Sequence, residues 1–173
     1  MNTDQITAVL SDSVTTDLIE RSPPLRAAYT GTDGVPRVVP LGCLLRDGKF
    51  VFCTVSSSAK VEALRQDPRV ALTIDIASPP CCLLVRGLAE VEIVERVPEE
   101  YLTAAKRNVP PAAHEQFEAQ VRHLYDDMAR ITVTPTWARL NDFVRTAPRT
   151  ACFLNFAARS SSVRSRSSTR SPD

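Results

Sequence analysis

The sequence predicts a mainly β fold: a six-stranded antiparallel barrel with small helices at its connections. Three observations carry this. Six runs rich in β-branched and aromatic residues follow one another closely between residues 25 and 143. Asp-Gly pairs at Asp33-Gly34 and Asp47-Gly48 separate apolar runs, and glycine accepts the positive φ that tight hairpin turns require. The helical stretches are short and sit between strands, so the strands pair as a meander, and closing the meander into a barrel removes its exposed edges.

Each element has a local reason. "TTDLIERS", residues 15–22, predicts a short helix capped by Thr15 or Thr16 and stopped by Pro23-Pro24. "LRAAYTGTDGVPRVVPLGCLLRDGKFVFCTV" predicts three strands broken at 32–35 and 46–49. Ala59 to Gln66 predicts a helix with Val61 and Leu64 on its inner face, ended by Asp67-Pro68. "RVALTIDI" (69–76), "CLLVRGLAEVEIVE" (82–95) and "RITVTPTWARLNDF" (130–143) predict strands, with Gly87 marking a bulge or a close backbone approach. "PEEYLTAAKRN" and "PAAHEQFEAQVRHLYDDMA" predict helices, with Pro98 and two glutamates opening the first and His114 and His123 on a charged, solvent-facing surface. The domain is expected over residues 10–145. The remainder, 146–173, is an Arg/Ser-rich tail of almost no apolar content, expected to lack stable structure.

Composition narrows the function. Net charge is +1, and the basic excess is confined to the tail, with six arginines and one acid from Val144 onward. The body is net acidic, so no nucleic-acid partner is expected. The five cysteines form no CxxC and have no histidine at a zinc-ligand spacing, so no metal site is expected. Three of them lie in apolar runs and read as buried free thiols of a reducing compartment, which places the protein in the cytoplasm. There is no signal-like N-terminus and no run long enough to span a bilayer, so no membrane association is expected. No Ser/His/Asp or Cys/His set stands at a readable spacing. Nucleophilic catalysis by such a set is therefore not expected.

The stretch "FCTVSSSAKVEALRQDPRV" (52–70) carries the functional signal. Its helix opens with Ser56, Ser57, Ser58 and Lys60. A cation in the first turn opposes the helix dipole by about 0.3–1 kcal/mol. A bound anion removes that conflict, taking free N–H groups, serine hydroxyls and the ammonium together, and a phosphate monoester suits such a site. The alternative is that Ser58 is an ordinary N-cap and Lys60 a solvated side chain.

This segment resembles the phosphate-binding segment of the pyridoxamine 5′-phosphate oxidase-like family of flavin-binding split β-barrels. "DGVPRVVPL" (33–41) is similar to that family's flavin-lining strand, and "ITVTPTWARLNDF" to its last strand. The resemblance spans roughly residues 15–143 and implies a six-stranded FMN-binding split barrel. It implies that Lys60, Ser58 and Ser57 bind the cofactor phosphate, and that Thr54 meets the phosphate or ribityl chain. Arg37, Val38 and Val39 would line the ring, and Trp137 and Arg139 would approach from the far strand or from a partner subunit. Two copies would share the site, so a homodimer is expected. Ala59 stands where the family's oxidases carry a second basic residue, and the C-terminal substrate-phosphate residues are not found. This points away from pyridoxamine phosphate oxidase activity and towards a branch that uses FMN or the deazaflavin coenzyme F420.

Two readings follow. One is a flavin- or deazaflavin-dependent oxidoreductase passing a hydride to a small planar substrate. The other is a non-catalytic protein that stores or shields a flavin or haem. Arg86, beside Gly87, is a further candidate for the site, with a salt bridge as its alternative role.

Overall fold

The computed structural model describes residues 1–21 and 24–145. Two helices, α1 (Thr3–Leu10) and α2 (Ser13–Glu20), precede four strands: β1 (Leu25–Thr30), β2 (Pro36–Leu41), β3 (Leu44–Arg46) and β4 (Lys49–Thr54). Helix α3 (Ala59–Gln66) leads to β5 (Arg69–Ala77) and β6 (Pro80–Glu95). Helix α4 (Glu99–Lys106), a short 3-10 turn (Pro111–Ala113) and α5 (His114–Leu124) then lead to β7 (Asp127–Asp142).

The sheet has seven strands in the order β2-β1-β5-β6-β7-β4-β3, one more than expected, and the pairings between them are antiparallel. The extra strand arises at Gly42-Cys43. There the chain leaves its ladder with β1 and joins a different ladder with β4, so one predicted strand becomes β2 and β3. These two are the sheet's opposite edges, and no hydrogen-bonded ladder joins them among the described residues. A ladder-closed barrel is therefore not what the described residues form. The sheet is nevertheless rolled. Six interstrand steps would separate flat edges by about 29 Å, yet the three chain steps from Leu41 to Leu44 span at most about 11 Å. The Arg107 guanidinium of the segment after α4 donates to the Cys43 carbonyl at this crossing, 3.1 Å away.

The roll encloses the main core. Alternate residues point inward: Leu25, Ala27 and Tyr29 on β1, Phe50 and Phe52 on β4, Leu72 and Ile74 on β5, Leu83 and Val85 on β6, Ile131 and Val133 on β7. Helices α1, α2 and α3 add Ile6, Leu10, Leu18, Ile19 and Leu64 to it. A second cluster, with Val97, Leu102, Val121 and Met128, seats α4 and α5 against Cys53 of β4.

The hairpins form for the expected reason. Asp47 (φ 50°) and Gly48 (φ 72°) make a two-residue turn with both φ positive, and Gly34 (φ 78°) occupies the left-handed position of the β1–β2 loop. The helices before β1 differ from expectation. Asp12 caps α2 in place of Thr15 or Thr16, its carboxylate accepting from Val14 N–H at 2.8 Å, while Thr15 is buried. Helix α1 begins with a reciprocal capping box between Asn2 and Gln5. Of the predicted Pro23-Pro24 stop, Pro23 lies outside the described residues, as does the predicted tail 146–173. His114 is half-buried instead of solvent-facing, its Nε2 lying 2.8 Å from the Val109 carbonyl and 3.1 Å from that of Lys106. No described helix is long and apolar enough to cross a membrane.

Candidate functional site

Lys60 is the centre of the candidate anion site. Strand β4 ends at Thr54, four residues turn the chain, and α3 starts at Ala59. This returns Lys60 alongside the strand end, where its ammonium donates to Ser58 Oγ at 2.7 Å and to Thr54 Oγ1 at 3.1 Å. The Ser58 backbone occupies the N-cap position, but its side chain makes no capping hydrogen bond. The plain N-cap reading of Ser58 is thus not what the hydroxyl does: it faces the ammonium. No carboxylate pairs with Lys60 among the described residues, and burial pushes its pKa down. A half-buried ammonium satisfied only by two hydroxyls, beside uncapped helix N–H groups, is a donor set that fits a phosphate. Glu62 also lies in the first turn of α3, which moderates the opposition between Lys60 and the helix dipole. Ser57 is exposed and Ala59 leaves the helix start without a second cation.

The residues expected along a ring lie elsewhere. Arg37 on β2 folds back over its own hairpin, pairing with both carboxylate oxygens of Asp33 at 2.9 Å and donating to the Val35 carbonyl at 3.0 Å. Gly31 makes this possible, since a Cβ there would stand 2.0 Å from the guanidinium. The guanidinium holds the Asp33 carboxyl at about 2, well below the usual range. Val38 is 64% exposed, whereas Val39 is half-buried against the core.

Arg37 and Val38 line one wall of a cleft of about 600 Å³ on the outer face of the sheet. Its floor is Ala28 on β1 and Ala71 on β5, and its other wall is Arg86, Gly87 and Leu88 on β6 with Thr136 on β7. Neither Thr54, Ser57, Ser58 nor Lys60 lines it. The chain thus separates the two groups of expected cofactor residues instead of gathering them in one pocket.

The far wall depends on a β-bulge. The β6–β7 register shifts between Arg86 and Gly87: Arg86 faces Trp137 and Gly87 faces Pro135, which leaves Thr136 as the extra residue. Pro135 lacks an N–H and is tolerated in a central strand only at such a point. Gly87 is required because a Cβ would lie 2.6 Å from the Thr134 carbonyl oxygen and 2.6 Å from Val133. The bulge leaves Arg86 stacked on the Trp137 ring, 4.6 Å from its centroid. Trp137 is half-buried and does not line the cleft, and Arg139 is exposed and does not line it either. Sequence reasoning left Arg69 out of the site although it lines the cleft; Arg86, a site candidate with a salt bridge as its alternative role, lines the cleft too and lies over the Trp137 ring, with no salt bridge among the described residues. The signal available for both was their outward parity on β5 and β6.

The four described cysteines are free. Burial pushes the Cys43 thiol to about 11 and that of Cys53 to about 12, so neither is a nucleophile at neutral pH.

A family model described as pyridoxamine 5′-phosphate oxidase matches residues 13–142. No curated protein matches the chain. Among solved structures, a conserved hypothetical protein of Mycobacterium tuberculosis is similar at 19% identity and a TM-score of 0.57, covering 78% of this chain and 86% of that one. An FMN-binding, pyridoxamine 5′-phosphate oxidase-related protein of Nostoc punctiforme matches at 15% identity and a TM-score of 0.56, covering 79% and 86%. An F420 reductase matches at 22% identity and a TM-score of 0.51, covering 71% and 94%. At these identities the likeness is one of fold.

Proposed function

This chain belongs to the pyridoxamine 5′-phosphate oxidase family, and from that membership we propose that it is an oxidoreductase that binds FMN or the deazaflavin coenzyme F420. The observation that carries the proposal is Lys60, held by the Thr54 and Ser58 hydroxyls at an uncapped helix start with no described carboxylate partner. In this reading Lys60 and Ser58 bind the cofactor phosphate, Thr54 supports them, and Ser57 adds a hydroxyl from the loop. A bound flavin or deazaflavin supplies hydride chemistry at its ring. The chain's residues bind and orient it and exclude water.

The ring side takes Arg37, Val38 and Val39 from β2. Trp137 and Arg139, which do not line the cleft beside β2 in their own chain, would reach the ring from a neighbouring copy. The functional unit is then a homodimer, and the rolled sheet serves as the split barrel expected of such a unit. Lys60 and Ser58 do not line the cleft that holds the β2 wall, and a second chain would complete a site that uses both. Substrate is a small planar molecule that accepts a hydride.

The test is a titration of the purified full chain with FMN and with F420, repeated on Lys60→Ala. One charge-assisted contact is worth roughly 1.5–3 kcal/mol, so the variant should lose about tenfold to hundredfold in affinity for whichever cofactor binds. Equal affinity in wild type and variant, or a haem Soret band in place of flavin binding, overturns the reading. Cofactor binding with no turnover of any hydride acceptor would instead favour the storage role.

A further inference from the structure

We infer that the cavity at the far end of the β6–β7 ladder binds a small zwitterion of the α-amino acid class, with Arg96 taking its carboxylate and Glu95 and Asp126 taking its ammonium. The cavity has a volume of about 440 Å³ and is lined by Glu95, Arg96, Arg122, Tyr125 and Asp126. That volume lies within the range of small-molecule sites. The cavity forms where β6 leaves the ladder for α4 and the chain returns from α5 into β7: Glu95, the last residue of β6, pairs with Asp127, the first of β7. No residue of the outer-sheet cleft lines it, and neither do Thr54, Ser57, Ser58 or Lys60. It is therefore separate from the proposed cofactor site and does not rest on that reading.

The backbone of Arg96 is the first observation. Its φ of 62° lies in the left-handed region, which L side chains rarely adopt and glycine adopts freely. The conformation is held by the Arg96 N–H, which donates to the Asp126 carbonyl at 2.6 Å. Asp47, the other described non-glycine residue with a positive φ, sits in a two-residue hairpin turn that calls for it. Arg96 serves no such turn, and a glycine would make the same connection without strain. A strained residue kept where glycine would do points to its side chain as the reason. That guanidinium has no carboxylate partner among the described residues.

The charges select the ligand. The Glu95 and Asp126 carboxylates likewise have no cation partner among the described residues, so unlike charges line one cavity without pairing across it. A simple anion drawn to Arg96 meets two carboxylates, and a simple cation drawn to those carboxylates meets Arg96. A molecule carrying both charges a few bonds apart satisfies each with a charge-assisted hydrogen bond. Arg122 plays a different part. Its guanidinium is paired with Glu99 of α4 and with Glu118 of α5 at 2.8 Å, and it donates to the Val97 carbonyl at 3.4 Å. It is already compensated and forms a fixed wall that ties α4, α5 and the exit of β6 together. Half-buried Tyr125 offers a ring against which an apolar side chain packs, so an aromatic amino acid is the best-matched member of the class.

The full chain is titrated by equilibrium dialysis with L-phenylalanine, with 3-phenylpropanoate, which lacks the ammonium, and with 2-phenylethylamine, which lacks the carboxylate. L-Phenylalanine should bind saturably and each single-charge analogue about tenfold to hundredfold more weakly. Arg96→Gly and Arg96→Gln should each weaken L-phenylalanine by a similar factor, and Asp126→Asn by about tenfold. Arg96→Gly should at the same time hold or raise Tm, because glycine relieves the backbone; an arginine kept for structure alone would lower it on removal. FMN affinity in Arg96→Gly should equal that of the wild type, so this assignment and the cofactor reading can fail separately. The inference is overturned if L-phenylalanine shows no saturable binding, if either analogue binds as well as the zwitterion, if Arg96→Gln leaves binding unchanged, or if Arg96→Gly lowers Tm.

Discussion

Replacing Gly87 by alanine tests whether the β-bulge is a structural requirement. The new Cβ would stand 2.6 Å from the Thr134 carbonyl oxygen and 2.6 Å from Val133 Cγ1, and 3.1 Å from the Thr134 carbonyl carbon. The first contact is with backbone in the middle of the β6–β7 ladder, so no flexible side-chain tip can swing aside. The strands must part by several tenths of an ångström, and overpacking of this kind costs about 1–3 kcal/mol. Stiffening of the unfolded chain by the added methyl returns about 0.4–1 kcal/mol. The net loss is about 1–2 kcal/mol, which for a domain of this size lowers Tm by about 3–7 °C. Differential scanning calorimetry of the two proteins reads it directly. An unchanged or higher Tm would refute the reasoning, since it would mean that the unfolded-state gain dominates and the close approach is relaxed at no cost.

Other outcomes follow from the titratable groups. Burial depresses Lys60, and a phosphate favours its charged form; FMN affinity should therefore be level below the folded pKa and fall as pH rises through it. That fall should begin below the ordinary lysine value of about 10.4 and should be absent in Lys60→Arg. In the cofactor-free protein the same depressed pKa means that the charged ammonium costs stability, a cost relieved as pH rises through the folded value towards the unfolded one; urea titrations across that window should show stability rising, and a fall would contradict the sign. Cys43 and Cys53, held at about 11 and 12, should resist iodoacetamide at neutral pH in the folded protein, and rapid labelling of either by mass spectrometry would show that the core opens locally. Ala59→Arg should tighten FMN by adding a second cation at the helix start, and weaker binding would place the phosphate elsewhere.

Local chemistry alone determined a good part of this protein. The Asp47-Gly48 turn and the α3 span Ala59–Gln66 with its buried Val61 and Leu64 depend on residues close in sequence or on intrinsic φ preferences, so they were legible without the fold. The same holds for the pairing of Lys60 with nearby hydroxyls, because Thr54, Ser58 and Lys60 lie within one strand–turn–helix unit. The capping box of Asn2 and Gln5 was equally local and was overlooked. What only the tertiary structure decided involves partners far apart in the chain. The division of one strand into β2 and β3 follows from which distant ladder each half joins. Whether Arg37, Arg69 and Arg86 are neutralised or free follows from which carboxylate or ring the fold sets beside each. Asp33 and Asp67 are near neighbours of the first two, but Trp137 reaches Arg86 across fifty-one residues of chain, and only through a register shift that side-chain periodicity does not encode. Long-range pairing is set by the summed burial of the whole sheet, so the cleft exists only once that sheet has rolled.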